Sequence, residues 1–202
     1  SPQWMPDSRA IVWLSARIDT NSDGVTDRRD GLGILLLPFG EGATPRTLVE
    51  PAVGVSQPRP SPTGAWVVYQ QRLEKGTALK VVPAEGGVSS LLTPESSEAQ
   101  FAAFRPDGQV VAALVRSRDT NGDGRLDAFD RSAVWVVPIA RPDQRRVVLS
   151  DEEEYGTVLF SPDGGRLAVS RISGGSGKRA TVGTGKRGIA IVSLKEANGE
   201  PV

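Results

Sequence analysis

The 202-residue chain contains no histidine and no cysteine, and this absence removes most catalytic and metal-binding chemistries at once. Without these side chains there is no Ser-His-Asp triad, no cysteine nucleophile, no zinc site of the usual His/Cys type and no attached haem. Charge of neither sign is in excess, because 24 basic and 24 acidic residues cancel. This balance argues against a broad nucleic-acid surface, which needs an excess of lysine and arginine.

Long hydrophobic runs are also missing. The longest run, from Ile34 to Phe39, has six residues and contains Pro38, whereas a membrane-spanning helix needs about 20. We therefore expect no transmembrane segment, and the first residues do not resemble a signal peptide. The absence of cysteine fits a cytosolic or a periplasmic protein, so it does not decide the compartment.

What the sequence does contain is a repeat built around a proline turn. Four stretches align on Pro6, Pro62, Pro106 and Pro162, so successive copies are 56, 44 and 56 residues apart. Proline presets the first central position of a turn, aspartate hydrogen-bonds its own backbone, and glycine accepts a positive φ. A unit of about 44 residues, with 12 added in the first and third copies, explains the spacing.

Short apolar runs rich in β-branched residues accompany every turn. One run follows each turn directly, at 10–14, 65–69, 109–114 and 166–170, and a second comes further along, at 34–37, 79–82, 134–137 and 189–192. A third run follows in three copies, at 47–49, 90–92 and 147–149. Runs this short, separated by turn signals about every 8 to 12 residues, predict strands and an all-β fold.

One strand before each turn and three after it make a four-stranded antiparallel unit, and repeated units of this kind indicate a β-propeller. The stretch from Phe160 to Val169, Phe-Ser-Pro-Asp-Gly-Gly-Arg-Leu-Ala-Val, resembles the repeat of TolB-type propellers. The resemblance covers essentially the whole chain and implies a single propeller domain, 1–202, with four repeats at 1–51, 52–94, 95–150 and 151–202. A β-sandwich is the alternative fold. The residue count favours a piece of a larger propeller over a four-bladed ring.

The 12 residues added to copies one and three carry the most informative chemistry. They occupy 19–30 and 119–130, and seven of the 12 positions are identical. Oxygen side chains at loop positions 1, 3, 5, 9 and 12, glycine at 6 and a backbone carbonyl at 7 match the ligand spacing of an EF-hand-like calcium loop. The candidate ligands are Asp19, Asn21, Asp23, Val25, Asp27 and Asp30 in the first loop, and Asp119, Asn121, Asp123, Arg125, Asp127 and Asp130 in the second.

These two loops predict two calcium sites. Calcium prefers six to eight hard oxygen ligands, and four carboxylates around one point repel one another without a cation. Strands rather than helices flank both loops, and position 12 is aspartate instead of the longer glutamate. We therefore expect a calcium loop grafted on a β-hairpin, in which the ion staples the loop. A polar hairpin tip without an ion and a magnesium site are the alternatives.

The fourth copy has a different insert, rich in glycine and basic residues. Its two Gly-Lys pairs suggest a phosphate-binding loop, but neither is followed by Ser or Thr, and no helix follows. A mobile basic loop is the plain interpretation. The functional interpretation is contact with an acidic protein or an anionic lipid headgroup through Lys178, Arg179, Lys186 and Arg187.

Two further features have structural interpretations. The acidic run 151–154 joins copies three and four and is expected to be a solvated connection. The four tryptophans lie on predicted strands, and core packing between blades explains them better than ligand stacking; they are Trp4, Trp13, Trp66 and Trp135.

No catalytic constellation emerges, so we expect a protein that is not an enzyme. TolB-type propellers commonly act as protein-docking platforms in the bacterial envelope. The resemblance therefore implies a calcium-stapled docking or accessory subunit of a membrane-associated or envelope assembly, in a periplasmic or extracellular location. Fold alone does not give function. Related propellers form the non-catalytic portion of serine peptidases, so the substrate-gating portion of a hydrolase is the second hypothesis. A carbohydrate-binding propeller is the third.

Overall fold

The chain is built almost entirely from β-strands. The computed structural model describes residues 2–27, 29–173 and 186–194. Its strands are β1 (Gln3–Trp4), β2 (Ala10–Ser15), β3 (Leu32–Pro38), β4 (Arg46–Ala52), β5 (Val55–Pro60), β6 (Trp66–Leu73), β7 (Gly76–Pro83), β8 (Ser90–Leu91), β9 (Glu98–Phe104), β10 (Val110–Arg116), β11 (Ala133–Pro138), β12 (Arg146–Leu149), β13 (Glu154–Phe160), β14 (Arg166–Ser173) and β15 (Lys186–Ser193). The expected all-β class is confirmed.

Helical structure is minimal in the described ranges. A 3-10 helix of three residues spans Pro142–Gln144, just before β12. Among the residues that the structure describes, no helix has the length and apolar character needed to cross a bilayer.

Two compact units divide the chain, Ser1–Glu95 and Ser96–Val202. The first unit holds two antiparallel strand groups, β1–β4 and β5–β8, which we call sheets 1 and 2. The second unit holds β9–β12 and β13–β15, which we call sheets 3 and 4. The single propeller domain and its four repeat boundaries stay predictions.

The proline turn has the same geometry in all four sheets. A backbone N–H donates to the carbonyl three residues earlier, from Ser8 to Met5 (3.0 Å) in sheet 1 and from Gly108 to Arg105 (2.9 Å) in sheet 3. The Asp107 carboxylate also accepts from the Gln109 N–H at 3.0 Å. The fourth turn residue has a positive φ throughout, 59° at Ser8, 73° at Gly64, 69° at Gly108 and 70° at Gly164. The predicted turn residues therefore fix where each following strand begins relative to its turn.

Each strand that follows a turn pairs with the next strand in the same register. Residue Ala10 of β2 pairs with Pro38, Val110 of β10 with Pro138, and Arg166 of β14 with Ser193. Proline is tolerated at the last position of β3 and β11 because the next residues, Phe39 and Ile139, donate the backbone hydrogen bond there, to the carbonyls of Arg9 (2.7 Å) and Gln109 (2.9 Å). This shared register makes residues of different sheets directly comparable.

Each unit has an apolar core between its two sheets. In the first unit, Val12, Ile34 and Leu36 of sheet 1 pack with Val67 and Tyr69 of sheet 2. In the second unit the core contains Val110, Ala112, Leu114, Val134 and Val136 from sheet 3, and Val158, Leu167 and Val169 from sheet 4. Branched side chains on facing sheets interdigitate and keep water from both ladders.

The expectation for the tryptophans holds only in part. Trp135 is buried, whereas Trp13 and Trp66 are half-buried. Trp4 is 66% exposed, and its ring lies 5.4 Å from that of Phe39 at a tilt of 59°. The edge strand β1 has only two residues, so little of its own sheet covers Trp4.

Replacing Ser8 with glycine tests the turn. A non-glycine residue at φ 59° is strained by about 1 kcal/mol, so Ser8→Gly is expected to raise the free energy of unfolding by about 0.5–1 kcal/mol in urea denaturation. The matched variant Gly108→Ser should lower it by a similar amount. Equal stability of both variants and the parent would contradict the assigned strain.

Candidate calcium loops

Both predicted loops connect the second and third strands of their sheets. The first follows β2 and precedes β3, whose ladder ends at the pair Ser15 and Gly33. The second follows β10 and precedes β11, whose ladder ends at Val115 and Ala133. Sheet 2 shows the same hairpin without an insert, because β6 and β7 are joined by residues 74–75 after the pair Leu73 and Gly76.

The aspartate at loop position 12 closes the base of each loop. In the second loop, Asp130 Oδ1 accepts from the Thr120 N–H (2.7 Å) and Asn121 N–H (3.4 Å), while Oδ2 accepts from the Asp127 N–H (2.9 Å). In the first loop, Asp30 makes the corresponding three bonds at 2.8, 3.3 and 2.8 Å. Both aspartates are buried, with 5% and 4% of their surface exposed.

These hydrogen bonds keep both buried aspartates ionised. The bond from the Asp27 N–H is the main cause that lowers the pKa of Asp30. For Asp130, burial alone would raise the pKa, but the bonds from Asp127, Thr120 and Asn121 outweigh it and the pKa is lowered. A lowered pKa means that the charged form contributes stability at neutral pH, and that this contribution is lost as the pH falls through the folded-state value.

A threonine at loop position 2, which is not one of the ligand positions, closes the base of each loop with hydrogen bonds. Thr120 Oγ1 donates to Asp130 Oδ1 (3.2 Å) and accepts from the Arg131 N–H (2.7 Å). Thr20 makes the same two contacts with Asp30 (3.3 Å) and the Gly31 N–H (2.6 Å). The available sequence signal was that Thr is shared by both loops at position 2, one of seven identical positions.

The remaining side-chain ligand positions accept hydrogen bonds from the loop backbone. In the second loop, Asp119 Oδ2 accepts from the Gly124 N–H (2.7 Å), Asp123 Oδ1 from the Arg125 N–H (2.9 Å) and Asp127 Oδ1 from the Phe129 N–H (2.8 Å). In the first loop the matching acceptors are Asp19 (2.8 Å), Asp23 (2.9 Å) and Asp27 (2.7 Å), and both asparagines, Asn21 and Asn121, accept from the N–H two residues on at 2.9 Å.

Glycine at loop position 6 is required by the backbone. Gly24 and Gly124 have φ values of 83° and 82°, in a region that side chains rarely adopt. Position 4 is also left-handed, at 60° for Ser22 and 74° for Gly122. The two loops thus share one backbone path despite their different residues.

The structure places all 12 predicted ligand residues in two equivalent loops, but it does not gather their carboxylates around a point. Among the described residues, no three acidic side chains are close enough together to hold a metal ion. The donor set is nevertheless all oxygen, as calcium prefers. Both carboxylate oxygens of Asp19 and of Asp119 already accept backbone N–H bonds.

The acidic run after the second loop is tied to it rather than simply solvated. Asp151 is only 13% exposed in its side chain and forms a two-bond ion pair with Arg118, whose hydrogen bond lowers the pKa of Asp151. Arg131 Nη1 donates to the Glu152 carbonyl at 2.7 Å. Together with Asp119, these residues border a shallow cleft of about 400 Å³.

The predicted basic contact is only partly within the described residues. Lys186 and Arg187 begin β15 and are exposed. Lys178 and Arg179 lie outside the described residues.

Comparison with known proteins supports the fold. No protein-family model matches the sequence, and no curated protein matches it. The chain is similar to the solved structure of TolB from Agrobacterium tumefaciens, with a TM-score of 0.55 and 15% identity over 98% of this chain and 61% of that one. TolB from Acinetobacter baumannii gives 0.54 and 15% over 100% and 44%. A prolyl endopeptidase structure gives 0.60 and 18% over 100% and 27%.

These likenesses show an all-β, TolB-like propeller type of fold. At such low identity they carry no further statement about this chain. The chain spans from about a quarter to about three fifths of the lengths of these three proteins. The number of blades stays a prediction.

Replacing Asp130 tests the base of the second loop. In buffer with a chelator at pH 7, Asp130→Asn should lower the free energy of unfolding by about 1–3 kcal/mol, because an amide nitrogen cannot accept both sets of backbone N–H bonds. Urea denaturation is the measurement, and Asp143→Asn, an exposed carboxylate on the 3-10 helix, is the control. Equal stability of the two variants would contradict the assigned role.

Proposed function

We propose that this chain is a non-enzymatic, TolB-like propeller that binds two calcium ions and acts as a protein-docking or accessory subunit of a cell-envelope assembly. The fold likeness to TolB is the observation that carries the docking role. The two equivalent loops carry the calcium role. A periplasmic or extracellular location belongs to the proposal, because calcium is abundant enough there to fill loops of moderate affinity.

The composition supports a binding role over catalysis. A chain without histidine or cysteine cannot form the common nucleophile–base pairs. The clefts that the structure describes offer little for chemistry: one is lined by Arg17, Ile18, Leu35 and Glu50 among others, and the other by the Arg118 ion pair. Fixed ion pairs and apolar walls are ordinary features of a binding protein surface.

Calcium would act here as a structural ion that holds each insert in one conformation. Each loop provides carboxylates at positions 1, 5, 9 and 12, an amide oxygen at position 3 and the carbonyl of Val25 or Arg125. The backbone hydrogen bonds already order both loops, so an ion would have to turn the side chains inward without refolding the hairpin. An ordered loop loses less conformational entropy on binding than a flexible one.

A specific likeness supports a second candidate function, the substrate-gating portion of a hydrolase. The whole chain aligns with 27% of a prolyl endopeptidase. The full coding sequence separates the two candidates, because an α/β-hydrolase segment in the same polypeptide would favour gating. A glycan array addresses the carbohydrate-binding hypothesis of the sequence analysis.

Calcium removal tests the proposed sites. At calcium 100 times above its dissociation constant, the melting temperature should exceed that in chelator by about 10–20 °C, because each of two ions that bind only the folded state stabilises it by about 2.7 kcal/mol. Asp23→Ala and Asp123→Ala should each reduce this calcium-dependent increment by about half. The increment itself is compared, since each variant also loses a backbone hydrogen bond. Asp143→Ala is the control, and an identical melting curve in calcium and chelator would refute the sites.

Affinity capture tests docking. The immobilised chain should retain a protein from solubilised native envelopes, and that protein, once purified, should bind the chain in calorimetry with a dissociation constant of about 10 μM or tighter, which is typical of specific transient complexes. Chain denatured before coupling is the control. Failure of every captured protein to bind in purified form would exclude the docking role.

A further inference from the structure

The two calcium loops differ in the residues that flank them. In the second copy, Arg118 stands directly before the 12 loop residues and Arg131 directly after them. Sheets 1 and 3 share one strand register, so residues of the two copies correspond when 100 is added to the residue number. The flanking residues of the first loop are therefore Ile18 and Gly31, which carry no charge.

Both flanking arginines reach the connection between β12 and β13, residues 150–153. Nε and Nη2 of Arg118 donate to the two carboxylate oxygens of Asp151, and Nη1 of Arg131 donates to the carbonyl of Glu152 at 2.7 Å. The hydrogen bond from Arg118 is the main cause that lowers the pKa of Asp151. The second loop is therefore tied at both ends to a segment outside itself.

The ion pair lies beside the first ligand position of the second loop. Asp119 borders the same cleft as Arg118 and Asp151, and its oxygens accept from the N–H groups of Gly122 (2.6 Å) and Gly124 (2.7 Å). A positive charge next to a cation site weakens binding of the cation, and a carboxylate that cancels this charge restores it. Asp151 is placed to do so for the charge of Arg118.

The corresponding residues of the first loop cannot form this ion pair. Ile18 is apolar, and the residue that corresponds to Asp151 is Pro51, which has no side-chain acceptor. Gly31 instead lies so close to the backbone of Ala52 that a Cβ atom would come within 2.6 Å of its carbonyl carbon. The first loop thus packs directly on the strand that the second loop reaches through charged side chains.

We propose that Asp151 is a positioning residue of the second calcium site, where it cancels the charge of Arg118 beside the ligand Asp119 and holds that end of the loop in place. This inference rests on the proposed calcium binding. It adds that the second site, unlike the first, depends on a residue outside its own loop. Calcium binding there is linked to the connection between sheets 3 and 4, on which Asp151 lies.

Calcium calorimetry on variants that keep one loop each tests the effect of charge. Asp23→Ala leaves the second loop intact, and Asp123→Ala leaves the first. In the Asp23→Ala background, Asp151→Asn should weaken calcium binding about 3- to 10-fold, because Arg118 is then uncompensated. In the Asp123→Ala background, the same change should alter the affinity less than about twofold. Equal effects in the two backgrounds would overturn the proposal.

Removal of the arginine separates charge cancellation from general damage. With Arg118→Gln and Asp23→Ala already in place, Asp151→Asn should change the calcium affinity less than about twofold, because the charge to be cancelled is gone. A full loss of affinity without the arginine would contradict the assigned role. Asp143→Asn, an exposed carboxylate on the 3-10 helix, is the control and should bind calcium like its background.

Hydrogen exchange in chelator tests the holding role without calcium. Asp151→Asn should speed exchange of the Thr120 and Asn121 amides about 3- to 10-fold, because the loop end that carries them is released, and should leave those of Thr20 and Asn21 unchanged. Unchanged exchange at Thr120 would overturn the holding role. A chain that binds no calcium refutes the proposed function and this inference together, whereas calcium binding that Asp151→Asn does not weaken refutes this inference alone.

Discussion

A sheet that is apolar on both faces has to be covered on both sides, and this constraint governs the molecule. The first six of the seven residues of strand β10, Val-Val-Ala-Ala-Leu-Val, are all buried. Exposed and buried residues do not alternate along such a strand, so it cannot belong to a sheet that has one face in water. Repetition of one sheet along the chain lets neighbouring sheets cover one another, as sheets 1 and 2 do in the first unit and sheets 3 and 4 do in the second.

Local chemistry made the strands and turns predictable, whereas contacts between distant residues were not. The proline turns and the runs after them were placed by residues within a few positions of one another, and the observed strands match these runs to within about four residues at each end. Trp4 was expected in a core but is exposed, because its burial depends on a covering sheet. The pairing of Asp151 with Arg118, 33 residues away, was likewise invisible to local patterns.

The two loops show why their ligand pattern has two interpretations. Aspartate and asparagine two residues before a backbone N–H accept from it, and this local bonding shapes a polar hairpin tip without an ion. The same spacing presents oxygens to calcium. The sequence could therefore predict the loop residues and their equivalence. It could not show that position 12 is buried and holds both ends of the loop, since that role depends on how the closed loop sits on its hairpin.

The closed base makes each insert independent of the length of the hairpin that carries it. Because Thr20 and Asp30 bond to each other and to the backbone beside them, the insert is anchored to itself and needs only the two ends of a hairpin. Sheet 2 joins the same two strands with residues 74–75 alone. The register of the surrounding strands is therefore the same in the hairpins that carry an insert and in the hairpin that carries none.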